Sequence, residues 1–491
     1  MSADVAPSPL DRFLRLFTEV RAGEGFTAVL LSSNVFLLLS SYYILKPIRD
    51  GLILAGAGAE AKAYTSALQV LVLAAVVPWY GKLADRVPRR RLINIVTLVF
   101  AVSFVGFAGV VALGLNIGVV FFVWVSIFTV MIIAQFWSFA NDIYTREDGE
   151  RLFPLIVFGQ SLGAVVGTTY VKELTEPFGI PNLILGAVAM LVGALLLTNY
   201  VDNRERHLKE AHLPIEETTA VKTATRAVKI EQARQMLSHF TGDFEENDVP
   251  GGPADPARES DEEADDGEGR GTGAFKLVMG TRYLLLIGLL MMLLNFVNTT
   301  GGYILDRLLE SAAAELVASG EAGGLSEGEF MSAYYGGFYQ IVNLTGLFLQ
   351  LFLASRVVKY LGVGVGLMIL PLISLGAYGL IGLYPVLSYV RWAKTAENAT
   401  DYSINNTMRN MLFLPTTREQ KYKAKQVIDS FFWRLGDMGS ALLVLIGTTL
   451  LVLSPSGFAA VNIGAVLVWL VIAYKIGIEY KRLVATGETP R

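Results

Sequence analysis

Residues 384–415 read YPVLSYVRWAKTAENATDYSINNTMRNMLFLP, between two strongly apolar segments. The stretch carries Arg391, Lys394, Glu397, Asp401 and Arg409, spaced 3, 3, 4 and 8 residues apart. That is helical spacing on one broad face. Ionisable groups in a bilayer are costly and usually line a polar path. Whether this stretch crosses a membrane therefore decides both the helix count and the character of the interior.

The rest of the chain has the composition of a membrane protein. Its 491 residues are 53% hydrophobic and 17% charged, with mean hydropathy +0.49; soluble domains average about 25% charged. Apolar runs of spanning length occur near 27–46, 64–81, 92–114, 117–140, 154–171, 183–200, 282–305, 332–354, 361–383, 428–453 and 458–478. Each approaches the roughly 20 residues a crossing helix needs. No signal peptide is evident, because the first long apolar run starts late and lacks a small-residue cleavage pattern.

Basic residues set the orientation. The loop 81–91 reads GKLADRVPRRR, with five Lys or Arg in eleven residues, and belongs in the cytoplasm. The amino terminus is then cytoplasmic, and the acidic loop 307–330 lies outside. If 384–415 did not cross, Arg418, Lys421, Lys423 and Lys425 would lie outside as well. If it crosses, they fall inside with Lys475, Lys481 and Arg482. Twelve spans with both ends inside is the better count.

An internal repeat agrees. Tyr43-Ile44-Leu45 recurs as Tyr303-Ile304-Leu305, Gln69 as Gln340, and Arg86-Val87 as Arg356-Val357. Thr145-Arg146-Glu147 recurs as Thr417-Arg418-Glu419, and Leu162-Gly163 as Leu435-Gly436. The offsets are 260, 271, 270, 272 and 273, and the jump after 260 fits a longer external loop in the second half. The repeat pairs the fourth span with 384–415. The expected fold is an all-α membrane protein of twelve transmembrane helices in two six-helix pseudo-repeats, with a site between the halves.

The expected division is a cytoplasmic amphipathic segment 1–25, a bundle 26–201, a cytoplasmic linker 202–281, a bundle 282–480 and a tail 481–491. Within the linker, 240–273 holds 12 acidic residues against Arg258 and Arg270, which reads as disordered by composition. Without its charge of −10 the chain goes from −4 to +6, so the body is basic. Positive-inside loops account for part of that excess. Residues 10–17 alternate apolar and basic positions, as an amphipathic helix anchoring at the membrane surface does.

Several residues inside the spans invite a binding role. Lys46, Arg49 and Asp50 close the first span beside Pro47, which loosens or kinks a helix; Lys46 is one turn from Asp50 and suited to pair with it. The alternative is snorkelling above a belt of Tyr42 and Tyr43. Asn295, either Asn298 or Thr299, and Asp306 share a face of the seventh span, where helix-to-helix hydrogen bonding is the competing role for the Asn and Thr residues. Arg434 and Asp437 form an i,i+3 pair that either serves the path or fixes packing. Trp137, Asn141 and Asp142 mix a ring with polar groups near the inner end of the fourth span. Gly159, Gly163 and Gly167 form a close-packing face, and Gly362, Gly364 and Gly366 also read as packing.

Enzyme chemistry finds no support. There is no GxxxxGK[ST] phosphate loop. There are no cysteines, and His207, His212 and His239 all fall in the central loop, so a metal site or an intramembrane histidine relay is not indicated. No cofactor and no nucleic-acid partner are expected.

The 81–91 loop is similar to the signature between helices two and three of the major facilitator superfamily. The chain also resembles the bacterial and plastid ATP/ADP translocases. The resembling stretches are Val20 to Gly25, Leu45-Lys46-Pro47-Ile48-Arg49-Asp50, residues 135–142 (QFWSFAND), Asp401-Tyr402-Ser403 and residues 416–425 (TTREQKYKAK). The resemblance implies exchange of ATP against ADP. It also implies roles in transport for a lysine late in helix one, acidic residues in the helices and a lysine after helix ten. The matching positions here are Lys46, Asp142, Asp306 and Lys425. Asp stands at two positions where plastid members tend to have Glu, and the acidic linker is a departure.

The expected substrate is a small anion, a nucleotide, handled by a monomer in a bacterial plasma membrane. Phosphates attract Arg and Lys through charge-assisted hydrogen bonds. The candidate binding residues are Lys46, Arg49, Asn141, Asp142, Asn298, Asp306, Arg391, Lys394, Glu397, Asp401, Arg409, Lys425, Arg434 and Asp437. Lys46→Gln or Arg391→Gln should abolish uptake of labelled ATP in a folded protein. The alternatives are a proton-coupled carrier of another organic anion, with Asp401 or Asp437 titrating, and a non-transporting membrane scaffold.

Overall fold

The computed structural model describes residues 8–15, 18–21, 23–211, 270–417 and 420–490. Among these there is no strand. The expected amphipathic stretch 10–17 is described except for its last two residues, and most of the acidic linker lies outside the described residues.

A short helix α1 (Pro9–Leu14) precedes the first half, which comprises α2 (Gly25–Arg86), α3 (Arg89–Ala112), α4 (Gly118–Ile143) and α5 (Arg146–Ala211). The second half follows α6 (Arg270–Gly280) with α7 (Arg282–Ser319), α8 (Glu327–Leu349), α9 (Ser355–Leu383), α10 (Leu387–Thr400), α11 (Asn406–Met411), α12 (Lys425–Val427), α13 (Trp433–Thr449) and α14 (Pro455–Thr486). α6 begins inside the stretch 240–273, so residues 270–273 are helical where disorder was expected.

Eight stretches are long and apolar enough to cross a membrane. Three of them, 25–84, 151–206 and 327–383, run to 60, 56 and 57 residues, about twice what one crossing needs. Each contains one residue with non-helical backbone: Gly58 (φ 87°), Gly179 (φ 72°) and Gly362 (φ 73°). Positive φ suits glycine, which has no Cβ to clash. Two expectations change here. Gly362 breaks a rod rather than packing a face, and Pro47 lies inside α2 while the break falls at Gly58. Divided at the glycines, these stretches reproduce the eleven apolar segments read from the sequence. The charged stretch forms α10 and α11, joined by a π-turn at Asp401–Asn405. Further π-turns occupy Gln350–Ala354, Gln420–Ala424 and Ile428–Phe432.

Each half has its own core. One cluster runs from Leu31 to Val201. The other runs from Val278 to Leu483 and takes in Leu54, Ala59 and Ala63 of α2. The glycine face packs as its spacing implies. A Cβ on Gly159, Gly163 or Gly167 would lie 2.4–2.6 Å from the carbonyls of Ser32, Phe36 and Ser40 on α2. Gly436, the repeat partner of Gly163, stands in the same relation to the Met292 carbonyl of α7, at 2.5 Å. The repeat thus appears in three dimensions as the same helix contact in each half.

α1 docks on protein through Asp11 and Leu14 and leaves Phe13 exposed. Ser8 and Asp11 form a capping box, and Asp11 also accepts the N–H groups of Gly23 (3.1 Å) and Gly25 (3.0 Å). Burial raises the Asp11 carboxyl, but the Gly23, Ser8 and Gly25 donors outweigh it and hold the group below its ordinary range. Leu14 packs with Val20, Ala28 and Leu152, and Arg151 pairs with Glu24 at 2.9 Å. The segment therefore ties the start of α2 to the start of α5.

Candidate functional site

The two halves enclose a cavity of about 190 Å³. From the first half α2 contributes Tyr42, Lys46, Arg49, Asp50, Lys62 and Gln69, and α4 contributes Phe122 and Ser126. From the second half α7 contributes Asn298, Thr299 and Asp306, and α8 contributes Tyr335, Phe338 and Tyr339. Lys394, Asn398 and Tyr402 reach it from the charged stretch, and Arg434 and Asp437 from α13.

Five cationic side chains line the cavity, against three carboxylates. The cations are held differently in each half. Lys394 bonds Glu397 Oε2 at 2.9 Å and Asn298 Oδ1 at 2.7 Å. Arg434 lies 3.4 Å from Asp437 Oδ2, whose other oxygen accepts from Thr299 at 2.9 Å. In the first half Arg49 donates to Ser126 Oγ at 3.0 Å, lies 3.7 Å from Asp50 and stacks over Phe122 at 4.7 Å. Lys46 makes neither an ion pair nor a hydrogen bond among the described residues. Its ammonium sits 4.3 Å from the ring of Tyr339 and 5.4 Å from that of Tyr43. Even so, Lys46 is only 7% exposed.

The expected Lys46–Asp50 pair does not form. Asp50 instead takes Lys62 at 3.4 Å and the Tyr339 hydroxyl at 2.9 Å. Lys62 also bonds Asp306 at 2.9 Å, and Asp306 accepts a short hydrogen bond from Tyr335. This network bridges the halves at the end of the molecule distal to the 81–91 loop. Beyond it, Arg307 and Tyr303 bond Glu60 at 2.9 and 3.1 Å, and the Ala59 N–H bonds Glu310 at 3.2 Å.

Of the candidates read from the sequence, Lys46, Arg49, Asn298, Asp306, Lys394, Arg434 and Asp437 line the cavity. Glu397 stands just behind Lys394. The remaining candidates fall outside the lining. Asn141 and Asp142 sit at the carboxyl-terminal end of α4, where Asp142 pairs with Arg89, and Trp137 packs against Phe136 and Phe153. Arg391 stacks over Tyr334 at 5.0 Å, and Arg409 over Trp433 at 5.3 Å. Asp401 is buried in its π-turn and accepts from Asn405 at 2.5 Å. Lys425 bonds Asn410 at 3.1 Å.

Sequence reading missed Lys62, Tyr335 and Tyr339. Lys62 had one available signal: a basic residue in an apolar stretch, directly after the Gly58 break.

A family model for the Major Facilitator Superfamily matches residues 25–393. One for the TLC ATP/ADP transporter matches residues 378–480. ADP,ATP carrier protein 1 of Rickettsia typhi is 21% identical over 99% of this chain and 100% of its own length. Among solved structures, the nucleoside transporter NupG superposes with TM-score 0.56 at 12% identity, covering 93% of this chain and 99% of its own. A POT family transporter in complex with 5-aminolevulinic acid gives 0.56 at 13% identity, covering 93% and 96%.

Proposed function

The chain belongs to the Major Facilitator Superfamily, and from that premise we propose that it exchanges nucleotides across a membrane, ATP-type against ADP-type. Carriers of this superfamily expose one central site to either side in turn as two halves rock. The match of residues 378–480 to the ATP/ADP transporter family and the likeness to the rickettsial carrier support the nucleotide.

Lys46 is the observation that carries the reading. A buried ammonium with no carboxylate at ion-pair distance is costly at membrane depth. A bound phosphate removes that cost through charge-assisted bonds. Arg49 adds a planar, permanently charged donor set beside it. Counting Glu397 with the three lining carboxylates still leaves one positive charge in excess, so the empty site favours an anion. Tyr42, Phe122 and Phe338 line the same cavity, and stacking of a base on such rings is worth about 1–3 kcal/mol.

Typical ligand pockets measure about 300–1,000 Å³, and the cavity at about 190 Å³ is smaller. A nucleotide therefore requires the halves to separate before it fits, as alternating access demands. With 81–91 in the cytoplasm, the distal end faces outward, both termini lie inside, and the α10–α11 stretch is the tenth of twelve crossings. The bundles 26–201 and 282–480 are then the rocking bodies.

Reconstituted protein in liposomes preloaded with ADP should take up labelled ATP, and Lys46→Gln should abolish uptake while the protein stays folded. Undiminished uptake by Lys46→Gln overturns the assignment. Uptake driven by a pH gradient, with no gain from internal nucleotide, would favour the proton-coupled carrier of another anion.

A further inference from the structure

We propose that Lys62 is the coupling residue of the cycle: its ammonium locks the distal gate through Asp306, and a phosphate held by Lys46 and Arg49 releases it. The inference rests on the nucleotide reading above and adds to it the reason exchange is obligatory.

The lock joins the halves through few groups. Lys62 belongs to α2, and its two carboxylates lie on opposite sides of the divide: Asp50 on α2 at 3.4 Å and Asp306 on α7 at 2.9 Å. Tyr335 on α8 bonds Asp306 and lies 3.4 Å from Lys62, while Tyr339 on α8 bonds Asp50. The other polar links at this end differ in kind. Arg307 is about half exposed, and exposed pairs contribute little. Asp50, Lys62 and Asp306 are all largely buried, where separating a charge from its partner is expensive.

Opening the distal end carries Asp306 and Tyr335 away with the second half. In an empty carrier this leaves Lys46, Arg49 and Lys62 on the first half with Asp50 as their lining carboxylate. Three cations against one carboxylate at membrane depth is an unfavourable arrangement. A phosphate bound by Lys46 and Arg49 reverses the balance. Lys62, across the Gly58 break in the same half and lining the same cavity, exchanges Asp306 for a phosphate oxygen. The loaded carrier then opens and the empty one stays shut. Asp306 keeps the Tyr335 hydroxyl, which travels with it.

The chain contains no cysteine, so introduced thiols are the sole labelling sites. Leu115 and Leu451 are exposed in distal loops of opposite halves. Spin labels on Leu115→Cys and Leu451→Cys report gate opening as a lengthened distance. The parent should stay short without ligand and lengthen with ADP. Lys62→Gln and, from the other side, Asp306→Asn should lengthen without ligand. Both should also release preloaded labelled ADP into nucleotide-free buffer at least about tenfold faster than the parent, since the lock is lost. Lys62→Arg, which keeps the charge, should restore ligand dependence.

If both neutral variants stay short without ligand and still need external nucleotide for efflux, the proposal is overturned. If the parent neither opens with nor moves nucleotide, yet both neutral variants open unaided, the lock stands and the nucleotide reading falls. Using two variants from opposite halves guards against one that fails to fold.

Discussion

Lys46 and Lys394 face the same cavity from opposite halves, yet they are built for different tasks. Lys394 is tied to Glu397 one turn along its own helix, and Arg434 to Asp437 in the same i,i+3 relation. Such pairs close on themselves, holding a cation where the fold needs it. Lys46 is held over tyrosine rings and closes no ion pair. A cavity whose second-half cations close on their own helix neighbours, and whose first half keeps Lys46 outside any ion pair, attracts an anion without collapsing when empty. The second half supplies the rigid field, and the first half supplies the open valence.

Each prediction tests that contrast. The largest effect is expected from Lys394→Gln, which strands a buried Glu397; removing one partner of a buried pair costs about 3–5 kcal/mol. Thermal unfolding should fall sharply and recover in Lys394→Gln/Glu397→Gln. Equal destabilisation in the single and double variants would break the contrast. Lys46→Gln should leave the empty protein at least as stable as the parent but remove the shift produced by ADP, which at 100 times Kd is about 2.7 kcal/mol. A retained shift would place the anion elsewhere.

Arg391→Gln sharpens the comparison further. Because Arg391 stacks on Tyr334 outside the lining, its loss should cost about 1 kcal/mol, under tenfold in uptake rather than the abolition read from the sequence. Kinetics of labelled ATP uptake decide the point. The smallest effect belongs to Arg307→Gln, an exposed link that should change stability by no more than about 0.5 kcal/mol and leave exchange coupled. Uncoupled efflux from that variant would move the lock outward from Lys62.

Much of this was legible because membrane burial writes itself into composition. An apolar run of spanning length has few alternatives in a bilayer, and a rod that must turn back needs a residue tolerating positive φ. The repeat was legible for a related reason: Gly163 and Gly436 each serve a backbone contact that no larger residue fits. Lys46 stood out as a charge where charge is expensive.

Other features were out of reach. Local spacing suggested a Lys46–Asp50 pair because i,i+4 neighbours are the contacts a sequence can display. The partner chosen was Lys62, brought in by the Gly58 break and by the approach of α7. Asn141 and Asp142 looked equally suited to a ligand, but α4 carries them past the cavity, where Asp142 meets Arg89. Arg391, Asp401 and Arg409 share a helix face on paper. In the folded chain Asp401 is buried in the π-turn, which shifts the helical phase before Arg409, while Arg391 and Arg409 lie half-buried against Tyr334 and Trp433.

What the sequence determined by itself is the helical, membrane-spanning, twofold-repeated plan, since solvent preference and periodicity act residue by residue along the chain. Which charges meet, which stay unpaired and where the halves are locked was decided by the tertiary structure alone. Those facts depend on distances between helices far apart in sequence, and the electrostatics of a buried group is set by the neighbours that packing brings to it.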